Sequence, residues 1–342
     1  MDFKRRRFTL PVDFSEISKK LNKEGIQLGP PPELPHEMIP TSIYPLDWLI
    51  EGIPTSAVTT FFGPQGSGKT TVAAHVAASI QKAGGVVVWV DNEYSFSREY
   101  FQSFGLNPDE VQYTSGLVVE QVFKLMDDVI DIAIENKDIP ILFVWDSVAT
   151  TPALQEREAA LDSTTIATGA RAMSKGFRLL STKLSGYPKI SILAITQVRE
   201  DISKNVFWGP TYNLYGGYAL KHYQVLALDF TQQGLVKDKD GLVKIRIRVA
   251  KSKLSSVVLG REVSLYIKHG KGVDIPKTLF EIAKDLGYIK ATGGWWKLDT
   301  PNAPQKSFRS EELEMELAKE EHIKELERLW KQKNPSTIMP PE

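Results

Sequence analysis

The sequence contains no cysteine. Disulfide staples, thiolate nucleophiles and zinc–thiolate centres are therefore excluded. The absence suits an intracellular protein, and a cytoplasmic one is expected. Neither sign of charge is in excess: 42 basic residues stand against 42 acidic ones, beside five histidines. A neutral chain has no general attraction for phosphate polymers, so any grip on nucleic acid has to come from a local basic surface. No apolar run reaches the ~18 residues of a membrane span, so no membrane partner is expected. The basic start at Lys4, Arg5, Arg6 and Arg7 is followed by no apolar stretch that would make it a secretory signal. Those four charges read as a solvated tail or as an arm that touches DNA. No repeat with a period of roughly 20–50 residues is present.

What remains is an ordinary globular composition, 42% hydrophobic and 25% charged over 342 residues. That is enough for one large domain and a smaller one. A short helix is expected over 13–24, with Phe14, Ile17 and Leu21 on one side. Residues 29–35 hold prolines too densely for a helix and read as an extended linker. From residue 57 short apolar runs, at 57–62, 86–90, 141–145 and 190–195, alternate with helical patterns at 70–83 and 119–135. Unbroken apolar strands are those buried on both faces. The expected fold class is thus α/β, with a mostly parallel, doubly wound sheet that binds ligands beyond the carboxyl ends of its strands. Past residue 220 the pattern changes. Residues 244–250 alternate Ile245, Ile247 and Val249 with Arg246 and Arg248, as a half-exposed strand does. A strand at 263–268, a helix from Pro276 to Gly287, a turn at 293–296 and one long charged helix over 311–332 complete the chain. The division expected is 1–35 (helix and linker), 36–269 (core) and 270–342 (a small α+β domain).

Gly63-Pro64-Gln65-Gly66-Ser67-Gly68-Lys69-Thr70 matches the pattern G-x-x-x-x-G-K-[ST] between an expected strand and an expected helix. Glycines allow backbone N–H groups to curl around an anion, and the following helix adds the positive end of its dipole. Lys69 then faces the β- and γ-phosphates of ATP, and the Thr70 hydroxyl, with Thr71 next to it, faces Mg²⁺. Asp146, after four apolar residues and Trp145, is the expected second Mg²⁺ ligand, with Ser147 to assist it. In Asp91-Asn92-Glu93 either carboxylate could orient the water that attacks the γ-phosphate. Gln197, at a strand end, reads either as a γ-phosphate contact or as a cap on backbone groups.

Taken in order with Val144-Trp145-Asp146-Ser147, Ile195-Thr196-Gln197-Val198-Arg199, Gly216-Gly217-Tyr218-Ala219-Leu220-Lys221 and Lys251-Ser252-Lys253, the chain resembles the bacterial RecA recombinase family over roughly residues 14–300. The resemblance implies an ATP-dependent recombinase that forms helical filaments on single-stranded DNA and exchanges strands with a duplex. It makes Glu93 the residue that activates water, Tyr100 the ring that stacks on adenine and Gln197 the γ-phosphate sensor. It also implies that Lys251 and Lys253 reach a neighbouring subunit's ATP, and that the helix at 13–24 docks on that neighbour. Two loops are then expected to hold DNA. One lies around 155–166, ahead of a helix carrying Arg171, Ser174 and Arg178. The other runs over 198–215, with Arg199, Lys204, Phe207, Trp208, Tyr212 and Tyr215, and with backbone groups of Gly216 and Gly217 near the strand. Cations hold phosphates while rings stack on bases.

The chain departs from the family pattern at Thr196, where Asn is usual, at His222, where an aromatic is usual, and at His269, where a tyrosine is usual. Its tail lacks an acidic cluster. These mark a divergent member, of the kind phages or plasmids carry. Two other readings keep the same core: a ring-shaped helicase or motor, and a paralogue that binds DNA or a partner without exchanging strands. A phosphate-loop kinase finds no separate acceptor lid in the sequence.

Overall fold

The computed structural model describes residues 15–23, 36–159, 168–184, 189–199, 213–214, 217–235, 241–299 and 306–335. The chain forms two compact units, Met1–Pro35 and His36–Glu342. The first contributes helix α1 (Ser15–Lys23), with Glu16 in its first turn and Lys20 and Lys23 in its last. Both charges suit the helix dipole.

The second unit begins with β1 (Met38–Ile39), α2 (Tyr44–Ile50) and β2 (Ile53–Pro54), then β3 (Ala57–Gly63), α3 (Lys69–Lys82), β4 (Val86–Asp91) and α4 (Arg98–Gln102). It continues with β5 (Val111–Thr114), α5 (Val119–Glu135), β6 (Ile141–Asp146), α6 (Leu154–Glu158), α7 (Thr168–Leu184), β7 (Ile190–Arg199), β8 (Asn213–Leu214) and α8 (Gly217–Tyr223). After these come β9 (Leu226–Leu235), β10 (Leu242–Ser252), β11 (Glu262–Lys268), β12 (Gly272–Val273), α9 (Ile275–Asp285), β13 (Ile289–Thr292), β14 (Trp295–Leu298), α10 (Ser310–Leu317) and α11 (Glu320–Lys333).

One large sheet runs in the order β12-β11-β10-β9-β3-β7-β6-β4-β5, with β8 paired to β7. From β9 to β5 every neighbour on that path is parallel. From β9 outward to β12 the pairs turn antiparallel. Alternation along each central strand feeds two separate cores. Phe61, Trp89, Val144 and Ile195 face α2, α3 and the C-terminal helices, whereas Val58, Val90, Trp145 and Ala194 face α5, α7 and α8. A strand with a helical layer on both faces has no solvent-facing register, which is why these runs are mostly apolar, with Thr59, Thr60 and Ser191 as buried exceptions.

The first of these cores continues into the C-terminal elements without a break. It joins Leu46 and Trp48 of α2 to Leu279 of α9, Leu313 of α10 and Trp330 of α11. Trp48 and Trp330 lie 6.4 Å apart between ring centroids, and Phe280 meets Trp296 edge-on at 4.9 Å. Asp274 caps α9 by accepting a hydrogen bond from the backbone N–H of Lys277 at 3.0 Å. The expected single helix at 311–332 is in fact two. Lys319 is extended (φ −74°, ψ 146°), and Glu320 and Glu321 open a new first turn after it. The break lets Leu313 and Leu317 on one segment and Ile323, Leu326 and Trp330 on the other all reach the same core.

Candidate functional site

The segment between β3 and α3 is shaped by two glycines. Gly63 has φ +151°, and a Cβ there would lie 2.1 Å from the carbonyl oxygen of Phe230. Gly68, at φ +87°, leads the chain into α3, and its Cβ would come within 2.5 Å of Ile267. The Phe230 backbone excludes a side chain at Gly63, and the left-handed φ disfavours one at Gly68. Lys69 is buried. Its Nζ donates to the carbonyl oxygens of Gly63 (3.0 Å) and Pro64 (2.6 Å) and to Ser67 Oγ (3.3 Å). Burial lowers its pKa, while the charges of Glu93 and Asp146 act to raise it. The loop opens on a cleft of about 580 Å³ lined by Lys69, Thr71, Glu93, Tyr100, Gln197 and His269, among others. Tyr100 is tied to the loop through its hydroxyl, 3.2 Å from Thr71 Oγ1.

Sheet register brings the polar strand ends to that cleft. Gly63 pairs with Gln197, and Asp91 pairs with Asp146, which in turn pairs with Ile195. Asp146 is fully buried. Burial pushes its carboxyl up to about 7, although hydrogen bonds from Thr70 and Ser95 pull the other way. Thr70 Oγ1 donates to Asp146 Oδ2 at 2.8 Å and Ser95 Oγ donates to the same oxygen at 3.3 Å, while Oδ1 has no partner among the described residues. An orphaned carboxylate oxygen beside a hydroxyl in a buried site suits a hard divalent cation, which would also hold the acid in its ionised form. Thr70 and Asp146 therefore fit Mg²⁺.

The two acids at the end of β4 separate cleanly. Asp91 turns inward and is consumed by structure. It accepts the backbone N–H groups of Glu93 (3.2 Å), Ser95 (3.1 Å) and Phe96 (2.9 Å) and the hydroxyl of Tyr113 (3.2 Å). Glu93 faces the cleft, where its Oε1 accepts from Gln197 Nε2 at 2.9 Å and from Ser147 Oγ at 2.6 Å. Ser147, expected beside Asp146 as its assistant, thus serves Glu93. Ser95 carries no motif signal in the sequence. Its role follows from the turn that Asp91 imposes.

Lys251 and Lys253 lie elsewhere. Lys251 Nζ donates to the Lys221 carbonyl, and Lys253 Nζ to the His222 carbonyl at 3.1 Å. Lys251 pairs with Ala227, which pairs with Thr60; Lys253 donates its N–H to Val225, which donates to Val58. Lys251 is thus level with the middle of β3 and Lys253 with its start, and Lys253 is about 16 Å of strand from Gly63. Ser174 and Arg178, exposed on α7, share a cleft with Lys221, His222 and Lys251. Arg171 borders a different groove, between α5 and α7. Arg199 ends β7, paired with Asn213, and Gly217 opens α8. Phe207, Trp208 and Gly216 lie outside the described residues, as do Lys204, Tyr212 and Tyr215.

A parallel sheet whose first strand turns through a glycine-rich loop into a helix, with an acid and an amide at the adjoining strand ends, defines a phosphate-loop α/β protein. The comparisons narrow the class. The RecA N-terminal domain family matches residues 9–274. The chain is 31% identical over 303 residues to Protein RecA of Mycoplasma mobile, covering 87% of this chain and 88% of that one. It is 29% identical over 297 residues to Protein RecA of Bifidobacterium longum, covering 85% and 72%, and 29% identical over 333 residues to that of Mycobacterium avium, covering 96% and 92%. The chain belongs to the RecA family.

Proposed function

We propose that this protein is a DNA-dependent ATPase that assembles head-to-tail into a helical filament on single-stranded DNA, pairs it with a homologous duplex and exchanges strands. The observation that carries the proposal is the hydrogen bond between Gln197 and Glu93. Gln197 stands at the head of the segment where basic and aromatic residues are interleaved, a composition suited to a single strand. A change in that segment is therefore transmitted to the carboxylate facing the phosphate loop.

In this reading the backbone N–H groups of 63–70 cradle the phosphates of ATP, Lys69 leaves its own carbonyls to meet the β- and γ-phosphates, and Tyr100 flanks the base. Thr70 and Asp146 would hold Mg²⁺, which supplies neutralisation of phosphate charge. Glu93 orients the attacking water and takes its proton. Gln197 exchanges Glu93 for the γ-phosphate when ATP is present, which reports nucleotide state to the DNA-binding segment. Lys251 and Lys253, level with the middle and the start of their own β3, serve the ATP of an adjoining copy, in the manner of cations supplied in trans. Arg171, Ser174, Arg178, Arg199, Phe207, Trp208 and the Gly216–Gly217 backbone hold DNA. Base pairing between strands supplies the sequence specificity.

The test is ATP hydrolysis with and without single-stranded DNA, together with electron microscopy on a slowly hydrolysed analogue and a strand-exchange assay. Strong stimulation by DNA, extended filaments and joint molecules are expected. Equal rates with and without DNA would sink the proposal. Closed rings would select a motor, and filaments without exchange would select a non-exchanging paralogue.

A further inference from the structure

We infer that Ser147 is a positioning residue for hydrolysis: it fixes the Glu93 carboxylate so that one oxygen stays turned toward the attacking water. The inference rests on the ATPase reading above and deepens it.

Three observations meet here. The first concerns the carboxylate itself. Both donors to Glu93, Ser147 Oγ and Gln197 Nε2, address the same oxygen, Oε1. Among the described residues Oε2 accepts no hydrogen bond, so the geometry divides the carboxylate into a held oxygen and a free one. A general base needs that division, because the oxygen that receives the proton must be unoccupied while the group as a whole is held still.

The second concerns the order in which the donors can be lost. Gln197 sits on β7 beside the loop, paired with Gly63, and lines the nucleotide cleft. Once its amide turns to a γ-phosphate, Ser147 is the one donor among the described residues that continues to orient Glu93. Ser147 is fully buried and follows β6 directly.

The third concerns rigidity. The carbonyl of Ser147 accepts from Thr150 Oγ1 at 3.2 Å and from Thr151 Oγ1 at 2.8 Å. Thr151 Oγ1 is in turn held by Trp145 Nε1 at 2.8 Å and by Asn92 Nδ2 at 2.8 Å. Asn92 immediately precedes Glu93, so the same lattice of hydrogen bonds pins the serine and the backbone carrying the base. A side chain this constrained orients its neighbour at little entropic cost, and misplacement of a reacting group by ~1 Å can cost on the order of a hundredfold in rate.

The experiment uses the full chain with single-stranded DNA and compares wild type, Ser147→Ala, Ser147→Thr, Glu93→Gln and the Glu93→Gln/Ser147→Ala double variant, by steady-state and single-turnover ATP hydrolysis. Ser147→Ala should lower kcat about tenfold or more, with KM for ATP and the affinity for a fluorescent ATP analogue within about twofold of wild type. Ser147→Thr, which keeps the hydroxyl, should recover most of the rate. On the Glu93→Gln background the serine substitution should cost nothing further, because a residue acting through the base has no effect once the base is gone. A Ser147→Ala kcat within about twofold of wild type overturns the inference. So does a KM that rises in step with the loss, or a loss that persists in the double variant. A wild-type protein that hydrolyses no ATP in any condition overturns the proposed function as well, which separates the two failures.

Discussion

Asp91 and Glu93 stand two residues apart at the end of β4, and spacing alone does not separate their roles. The surroundings do. Asp91 is fully buried and serves three backbone N–H groups; Glu93 reaches the cleft. Glu93→Gln should lower kcat by about a hundredfold or more while nucleotide affinity stays near wild type; hydrolysis and equilibrium binding, measured together, check this. A second residue whose behaviour follows from its packing is His75. It is buried in α3, stacked on Phe104 at 4.2 Å, and its Nε2 accepts the backbone N–H of Val273 at 2.9 Å. Burial lowers its pKa to about 4 from an unperturbed 6.5. As pH falls below about 6.5 the unfolded chain takes up a proton that the folded chain refuses. Stability is therefore lost from there down to about 4, by at most ~3 kcal/mol. Asp47 and Asp146, raised to about 6 and about 7, work in the opposite direction. The readout is thus the difference between wild type and His75→Gln in urea unfolding at pH 7.5 and 4.5, and the stability of wild type relative to the variant should fall between the first pH and the second.

At the level of elements, the junction between the sheet and the C-terminal helices should behave as core. Trp330 of α11 is buried against Trp48 of α2. Trp330→Ala should cost about 3–5 kcal/mol in denaturant unfolding, with a single transition, since the apolar cluster is continuous from α2 to α11. The central strands and α3 and α5 were legible in the sequence to within a few residues, because strands covered on both faces leave a largely apolar signature. The split of the expected long helix into α10 and α11 was not legible. Its cause is which sides of two segments meet a shared core, and every residue across 310–333, Ala318 and Lys319 at the break included, has acceptable helical propensity. The site was legible where a motif fixes backbone shape, as at 63–70. It was illegible where a side chain's partner is chosen by sheet register, as with Ser147 on Glu93 and Ser95 on Asp146. Register comes from non-local pairing, and local spacing carries no trace of it.

For the whole molecule, the decisive test is whether two damaged chains can repair one another. Lys251→Ala/Lys253→Ala chains should bind nucleotide normally but lose DNA-stimulated hydrolysis, and Lys69→Ala chains should be inactive through their own loop. Mixing the two should restore a measurable part of the activity, because the lysines of one complete the loop of the other. Failure of any mixture to exceed the sum of its parts would remove the shared site from the proposal.

The antiparallel turn of the sheet at β10 has a consequence for assembly size. It places Lys251 and Lys253 away from the loop of the chain that carries them. On the proposed reading a run of copies then always has one terminal member whose nucleotide nobody finishes. A pair holds a single working centre, and a long run holds nearly one for each copy. Turnover per chain should therefore climb with the length of the DNA supplied and level off. The two extremities become chemically unlike, one slow to hydrolyse and one not, and that difference alone gives the polymer a direction.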